Sequence, residues 1–147
     1  MIQKTKRFVL SQINHFKRNI TENKDRKLKE SYAGIHLIAD FWEINNIIDD
    51  GEKIKEILIE AAKRANNIPL EVAIHKFTPQ GVTGVILLAE SHISLHLWPE
   101  IKYLAVDVFT CGDHSMPEKA LEFLKETFEP RKVDLEKIKR GLIKKQM

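Results

Sequence analysis

Apolar and polar positions along this chain change period several times, and each change marks an element. Between residues 33 and 44, Ile35, Leu37, Ala39 and Phe41 alternate with His36, Ile38, Asp40 and Trp42, the period of two that predicts a half-buried strand. Asp49, Asp50 and Gly51 then offer a turn and a cap before residues 52–66, where Ile54, Ile57, Leu58, Ala61, Ala62 and Ala65 recur at steps of three and four. That spacing predicts an amphipathic helix. Asn66 and Asn67 tolerate the left-handed conformation that ends helices, and Pro69 blocks continuation. Four short β-like runs follow at 70–78, 83–89, 92–97 and 103–110, separated by Pro-Gln-Gly, Glu-Ser and Trp-Pro-Glu turns. A second helix is expected with Ser115 as N-cap, Pro117 in the first turn, a stripe of Ala120, Leu121, Phe123, Leu124 and Phe128, and Pro130 as its stop. Residues 131–141 read as a last, more polar strand and 142–147 as a loose tail. Upstream, Phe8, Val9, Ile13, Phe16 and Ile20 suggest a leader helix, joined to the rest by the polar run 21–30.

Strands plus two helices with short connections predict an α+β fold: a two-layer sandwich of a mainly antiparallel β-sheet with both helices on one face. A length of 147 residues suits one such domain. No window approaches the roughly 18–20 consecutive apolar residues of a membrane span, and the N-terminus lacks a secretory h-region, so a cytoplasmic protein is expected. The net charge of +3 hides an asymmetry, since residues 1–30 carry nine basic against three acidic side chains. Such an arm can bind nucleic acid, but without aromatic-glycine interleaving a solvated leader is the better reading. The single cysteine, Cys111, excludes an internal disulfide and a multi-cysteine zinc site, leaving a buried or a reactive thiol.

Candidate chemistry concentrates between residues 92 and 98. Alternation places Ile93, Leu95 and Leu97 on one face of that strand and His92, Ser94, His96 and Trp98 on the other, which reads as the lining of a site. His92 and His96 have the spacing of a helical metal site, yet on a strand they stand about 13 Å apart, too far to share one ion. No metal is expected.

Gly81-Val82-Thr83-Gly84-Val85, Ala89-Glu90-Ser91-His92, Ser94-Leu95-His96-Leu97-Trp98-Pro99-Glu100 and Asp107-Val108-Phe109-Thr110-Cys111-Gly112 resemble, block by block, the prokaryotic pyruvoyl-dependent S-adenosylmethionine decarboxylases. The resemblance covers roughly residues 33–141. It implies a self-processing domain over residues 31–147 behind a basic extension of residues 1–30, cut at Glu90-Ser91 into chains 1–90 and 91–147. Serine suits that cut. Its hydroxyl can attack the preceding carbonyl carbon to give an ester, whose β-elimination and hydrolysis leave a pyruvoyl cap derived from Ser91. No pyridoxal phosphate is then needed, because the cap condenses with the substrate's α-amine and accepts the electron pair released with CO2.

By the same resemblance His96 serves as acid/base in processing, with Thr83 beside it where many relatives carry serine. Cys111 matches the proton donor of decarboxylation. Phe77, Trp98 and Glu100 match substrate-binding positions, although Phe77 also suits plain core packing. Aromatic faces fit a purine and a sulfonium. The resemblance further implies a homodimer with active sites near the interface, and a product that serves as aminopropyl donor for spermidine. A paralogue acting on arginine is the nearest alternative, and a non-catalytic nucleic-acid-binding or regulatory homologue a more distant one. His36 and His75 read as strand or rim residues, Trp42 as packing, and Asp113 and His114 as turn or capping residues.

Overall fold

The computed structural model describes residues 31–143, so the expected leader helix, its linker and residues 144–147 lie outside the described residues. Six strands form one antiparallel sheet: β1 (Ser31–Ile44), β2 (Pro69–Lys76), β3 (Val82–Leu88), β4 (His92–Trp98), β5 (Tyr103–Cys111) and β6 (Pro130–Ile143), in spatial order β2-β3-β4-β5-β1-β6. Two helices, α1 (Gly51–Arg64) and α2 (Pro117–Phe128), cover one face, α1 over β2 and β3 and α2 over β1 and β5. The α+β sandwich expected from the periodicity is the one observed.

Alternation decides which side of each strand enters the core. Ile93, Leu95 and Leu97 of β4 and Leu104, Val106 and Val108 of β5 are buried, facing Ile54, Leu58, Ala61 and Ala62 of α1 and Leu124 and Phe128 of α2. Full burial of such side chains stabilises by about 1.5–3 kcal/mol each. Gly84 lets α1 lie close, because a Cβ there would stand 2.8 Å from a Leu58 methyl carbon and 2.9 Å from one of Ile74. In β1 the alternation slips near its end: Glu43 takes φ +52°, so Ile44 enters the core in its place.

Asp50 caps α1 as expected, accepting the Lys53 backbone N–H at 3.0 Å, and Asn66 ends it with φ +58°. The second cap differs from the sequence expectation. Met116, not Ser115, is the N-cap of α2, because the Ser115 hydroxyl is engaged at 2.8 Å from the Cys111 carbonyl and 3.2 Å from the Asn67 amide oxygen. The last strand also runs further than expected, with Leu142 and Ile143 still paired to β1.

The other face of the sheet is left open by the helices. It presents His36, Asp40 and Trp42 from β1, His92, His96 and Trp98 from β4, and Tyr103, Asp107, Phe109 and Cys111 from β5. Trp42 therefore packs outside the core: its ring stacks on Tyr103 at 4.4 Å and its indole N–H donates to Asp134.

Candidate active site

Two groups of candidate residues occupy opposite ends of β4. At its start, the hairpin turn between β3 and β4 carries Glu90 and Ser91, closed by the Leu88 N–H donating to the Ser91 carbonyl at 2.9 Å. β5 runs antiparallel to β4, so its last residue, Cys111, arrives beside this turn. The Cys111 backbone N–H donates to the Ser91 hydroxyl oxygen at 3.1 Å, while the Ser115 hydroxyl lies within hydrogen-bond distance of the Cys111 carbonyl. The Cys111 backbone is thus held to Ser91 through its N–H and to Ser115 through its carbonyl.

A cavity of about 200 Å³ opens at this end, lined by Asn66, Asn67, Ile68, Ala89, Glu90, Ser91, Cys111 and His114. Burial pushes the Cys111 thiol up from its ordinary pKa, and the Glu90 carboxylate adds to that, against smaller opposing effects of the Ser91 hydrogen bond and the Arg140 guanidinium. The net result is a thiol that holds its proton at neutral pH, as a proton donor must.

At the far end of β4, His96 Nδ1 lies 2.9 Å from the Thr83 hydroxyl, across the β3–β4 pairing that sets these residues opposite one another. Trp98 neighbours His96 with ring centroids 6.0 Å apart and stacks on Tyr103 at 5.2 Å. Burial, then the hydrogen bond to Asp40, push the Tyr103 phenol up to about 12, so it remains a donor. Phe77 follows β2 in a loop closed by its N–H donating to the Gly81 carbonyl, and Asp49 braces that loop by accepting the Gly81 N–H at 3.0 Å and the Lys76 ammonium at 3.1 Å. The Phe77 ring stays 48% exposed against His75, so core packing does not account for it. Glu100, in the 3-10 turn Pro99–Ile101, accepts from Gln80 at 3.3 Å.

The structure therefore joins Ser91 with Cys111, and Thr83 with His96, but not the two pairs with each other. Five residues of extended chain, at about 3.3 Å each, set His96 roughly 16 Å from Ser91. Periodicity alone did not single out Asn66, Asn67 and His114. The two asparagines read as a helix stop, which Asn66 is, while its side-chain amide also donates to the His114 carbonyl at 3.0 Å. His114, expected to serve a turn, lines the cavity, with its ring against Gly112. Among the described residues no group of three or more His, Cys, Asp or Glu is placed to hold a metal ion, and no helix is long and apolar enough to cross a membrane.

Comparison with known proteins bears on this arrangement. A family model described as S-adenosylmethionine decarboxylase matches residues 35–141. An S-adenosylmethionine decarboxylase proenzyme of Methanococcus maripaludis strain C5 is 45% identical over 111 residues, covering 75% of this chain and 91% of that protein. The proenzyme of the same description from Pelotomaculum thermopropionicum is 42% identical over 113 residues, covering 76% of this chain and 90% of that one. Among solved structures, the adenosylmethionine decarboxylase of Aquifex aeolicus VF5 superposes with a TM-score of 0.73 at 36% identity, over 80% of this chain and 98% of that one.

Proposed function

This chain belongs to the S-adenosylmethionine decarboxylase family, and from that premise we propose which of its residues cut the chain and which carry the decarboxylation. Its activity is the decarboxylation of S-adenosylmethionine. In our reading the Ser91 hydroxyl attacks the Glu90 carbonyl carbon, and the C–N bond of that peptide gives way to a C–O bond. Elimination across Cα–Cβ of Ser91 releases the Glu90 carboxylate and separates chains 1–90 and 91–147, and water hydrolyses the resulting N-terminal dehydroalanine with loss of ammonia. A pyruvoyl cap left on residue 91 supplies the electron sink for loss of CO2. The residues present fit such a group: the Ser91 hydroxyl already takes a hydrogen bond from the Cys111 N–H, beside a cavity with polar walls.

Cys111 is the proton donor to the substrate carbon that has lost CO2. His96, held by Thr83, is the acid/base of processing, and Phe77, Trp98 and Glu100 hold the adenosyl part of the substrate. Because His96 stands roughly 16 Å along β4 from Ser91 in the turn before it, these roles require two copies of the chain, so the working form is a homodimer. Two further facts support this reading. The cavity at Ser91 is smaller than the roughly 300–1,000 Å³ of a typical small-molecule site, and the uncovered sheet face carries Trp42 and Trp98, 36% and 40% exposed. The product is an aminopropyl donor for polyamine synthesis, made in the cytoplasm. No observation favours arginine as substrate, and the nucleic-acid reading rests on residues 1–30, outside the described part.

The observation that carries the assignment is the meeting of Ser91 with Cys111 at a hairpin turn in a member of this family. Denaturing electrophoresis with intact mass spectrometry should find two chains, the C-terminal one blocked by a hydrazine-reactive carbonyl. Carboxyl-labelled S-adenosylmethionine should release CO2 and labelled arginine should not. An uncut, carbonyl-free chain would overturn the mechanism, and release from arginine alone would overturn the substrate.

A further inference from the structure

Cys111, Gly34 and Arg140 stand in one row across β5, β1 and β6, since Gly34 pairs with Cys111 on one side and with Arg140 on the other. All three face the open side of the sheet. The absent side chain at the middle position matters, because a Cβ on Gly34 would meet Cε2 of Phe109 at 2.8 Å and the Cys111 sulfur at 3.0 Å. The Phe109 ring thus lies in the gap, touching the catalytic thiol's surroundings on one side. On the other, the Arg140 guanidinium rests over the same ring, 4.9 Å from its centroid. Among the described residues Arg140 has no carboxylate partner. The next residue, Gly141, has φ +68° and would place a Cβ 2.6 Å from that of Ala33, a close fit that fixes the strand where Arg140 leaves it.

We propose that Arg140 is a positioning residue of the catalytic centre, steadying through the Phe109 ring the negative charge that Cys111 acquires when it gives up its proton. The inference rests on the decarboxylase reading for the use made of that proton. Sγ passes it to the substrate carbon that has lost CO2 and keeps the S–H electron pair. The guanidinium is exposed, so solvent screens the attraction in part, and holding the cation against the ring beside the thiol keeps what remains directed at the sulfur. Around the thiol stand Glu90 and Ser91 from the β3–β4 turn and His114 from the loop after β5, while His36 of β1 and His92 of β4 face the Phe109 ring. Of these the Glu90 carboxylate opposes the thiolate, as burial does, and Arg140 offsets both in part.

Cys111 is the sole cysteine of the chain, so iodoacetamide reports on it alone. The pH profile of alkylation is measured on the full-length purified protein, wild type against Arg140→Gln and Arg140→Lys. Loss of the charge should move the profile to higher pH and slow alkylation at pH 7.5 by about threefold, a shift of about half a pH unit. Lysine should restore most of it. Superimposable wild-type and glutamine profiles would overturn the proposal, and so would slowing by lysine equal to that by glutamine, which would mark a packing role. Arg140→Met keeps a stem to lie on Phe109 and serves the same comparison should the glutamine chain fail to fold. Alkylation needs no turnover, so absent CO2 release with an altered thiol profile would count against the decarboxylase reading and leave this one standing.

Discussion

The two ends of β4 differ in what they hold and in what they lack. The Ser91 end has the bond proposed to be cut, a thiol that keeps its proton, and a cavity lined in part by Asn66, Asn67 and His114. The His96 end has a hydroxyl–imidazole pair, an exposed phenylalanine and a carboxylate, but no scissile turn. On the proposed roles neither end is a complete site. A single antiparallel sheet cannot fold its own strand back to join them, because β3, β4 and β5 are locked in register along their length. Placing two sheets face to face with a two-fold axis between them would set the start of one β4 over the end of the other, using an isologous contact of the commonest kind. On that proposal the open face would carry chemistry because it is covered by a second copy, where an exposed sheet would ordinarily carry solvated charge.

The sharpest way to break this comparison is to remove one end from each of two chains. Ser91→Ala keeps the His96 end and His96→Ala keeps the Ser91 end, and each alone should stay uncut. Co-expressed in equal amounts, with random pairing, about half of the His96→Ala chains should be cut, since half find a partner that supplies the missing imidazole. Denaturing electrophoresis reads the result directly. A mixture as uncut as its components would mean that one protomer contains everything it needs, and the two-ended description would fall.

Next in size is the division of labour within the Ser91 end. Cys111→Ala leaves the hydroxyl of Ser91 in place and removes only the thiol, so cleavage should proceed while decarboxylation slows by about 10²–10⁴-fold, the usual cost of a missing general acid. Cleavage yield and CO2 release measured on the same preparation separate the two steps. If both fell together, Cys111 would belong to processing. Normal turnover would remove it from the mechanism altogether.

Much of this was legible beforehand, for reasons that differ from residue to residue. The period of two in β4 places His92, Ser94, His96 and Trp98 on one face, and the observed burial follows it. Helix α1 follows its apolar stripe, and Asp50 caps it. What alternation does not give is position along the strand, although the arithmetic was at hand: the rise that separates His92 from His96 too far to share an ion separates Ser91 from His96 further still. Arg140 and His114 had no local signal. Arg140 stands in the same row as the thiol only because β6 pairs with β1 and β1 with β5, an order fixed by long-range contacts. Ser115 was misplaced as a cap because its hydroxyl found the Cys111 carbonyl first, so that a tertiary bond displaced a local preference.

The smallest expected effect tests whether the Ser91 end is crowded with positive charge. His92 projects from β4 onto Phe109, with His36 of β1 at a ring-centroid distance of 6.2 Å. Burial lowers its pKa below the ordinary 6.5, the His36 and Arg140 charges lower it further, and only Asp107 of β5 opposes. A histidine whose folded pKa is depressed is more easily protonated when unfolded. Its contribution to stability is therefore present above about 6.5 and is lost as the pH falls through the lower folded value. His92→Gln removes that dependence, so the urea midpoint should fall less between pH 7.5 and pH 5.5 in the variant than in the wild type, at one fixed protein concentration. The difference should be slight, because the ring is only partly buried and solvent screens its neighbours. Equal falls would mean that burial, His36 and Arg140 together do not outweigh Asp107 at His92. A larger fall in the wild type would show the net effect of these neighbours on His92, to which Arg140, which also acts on Cys111, adds the smallest part.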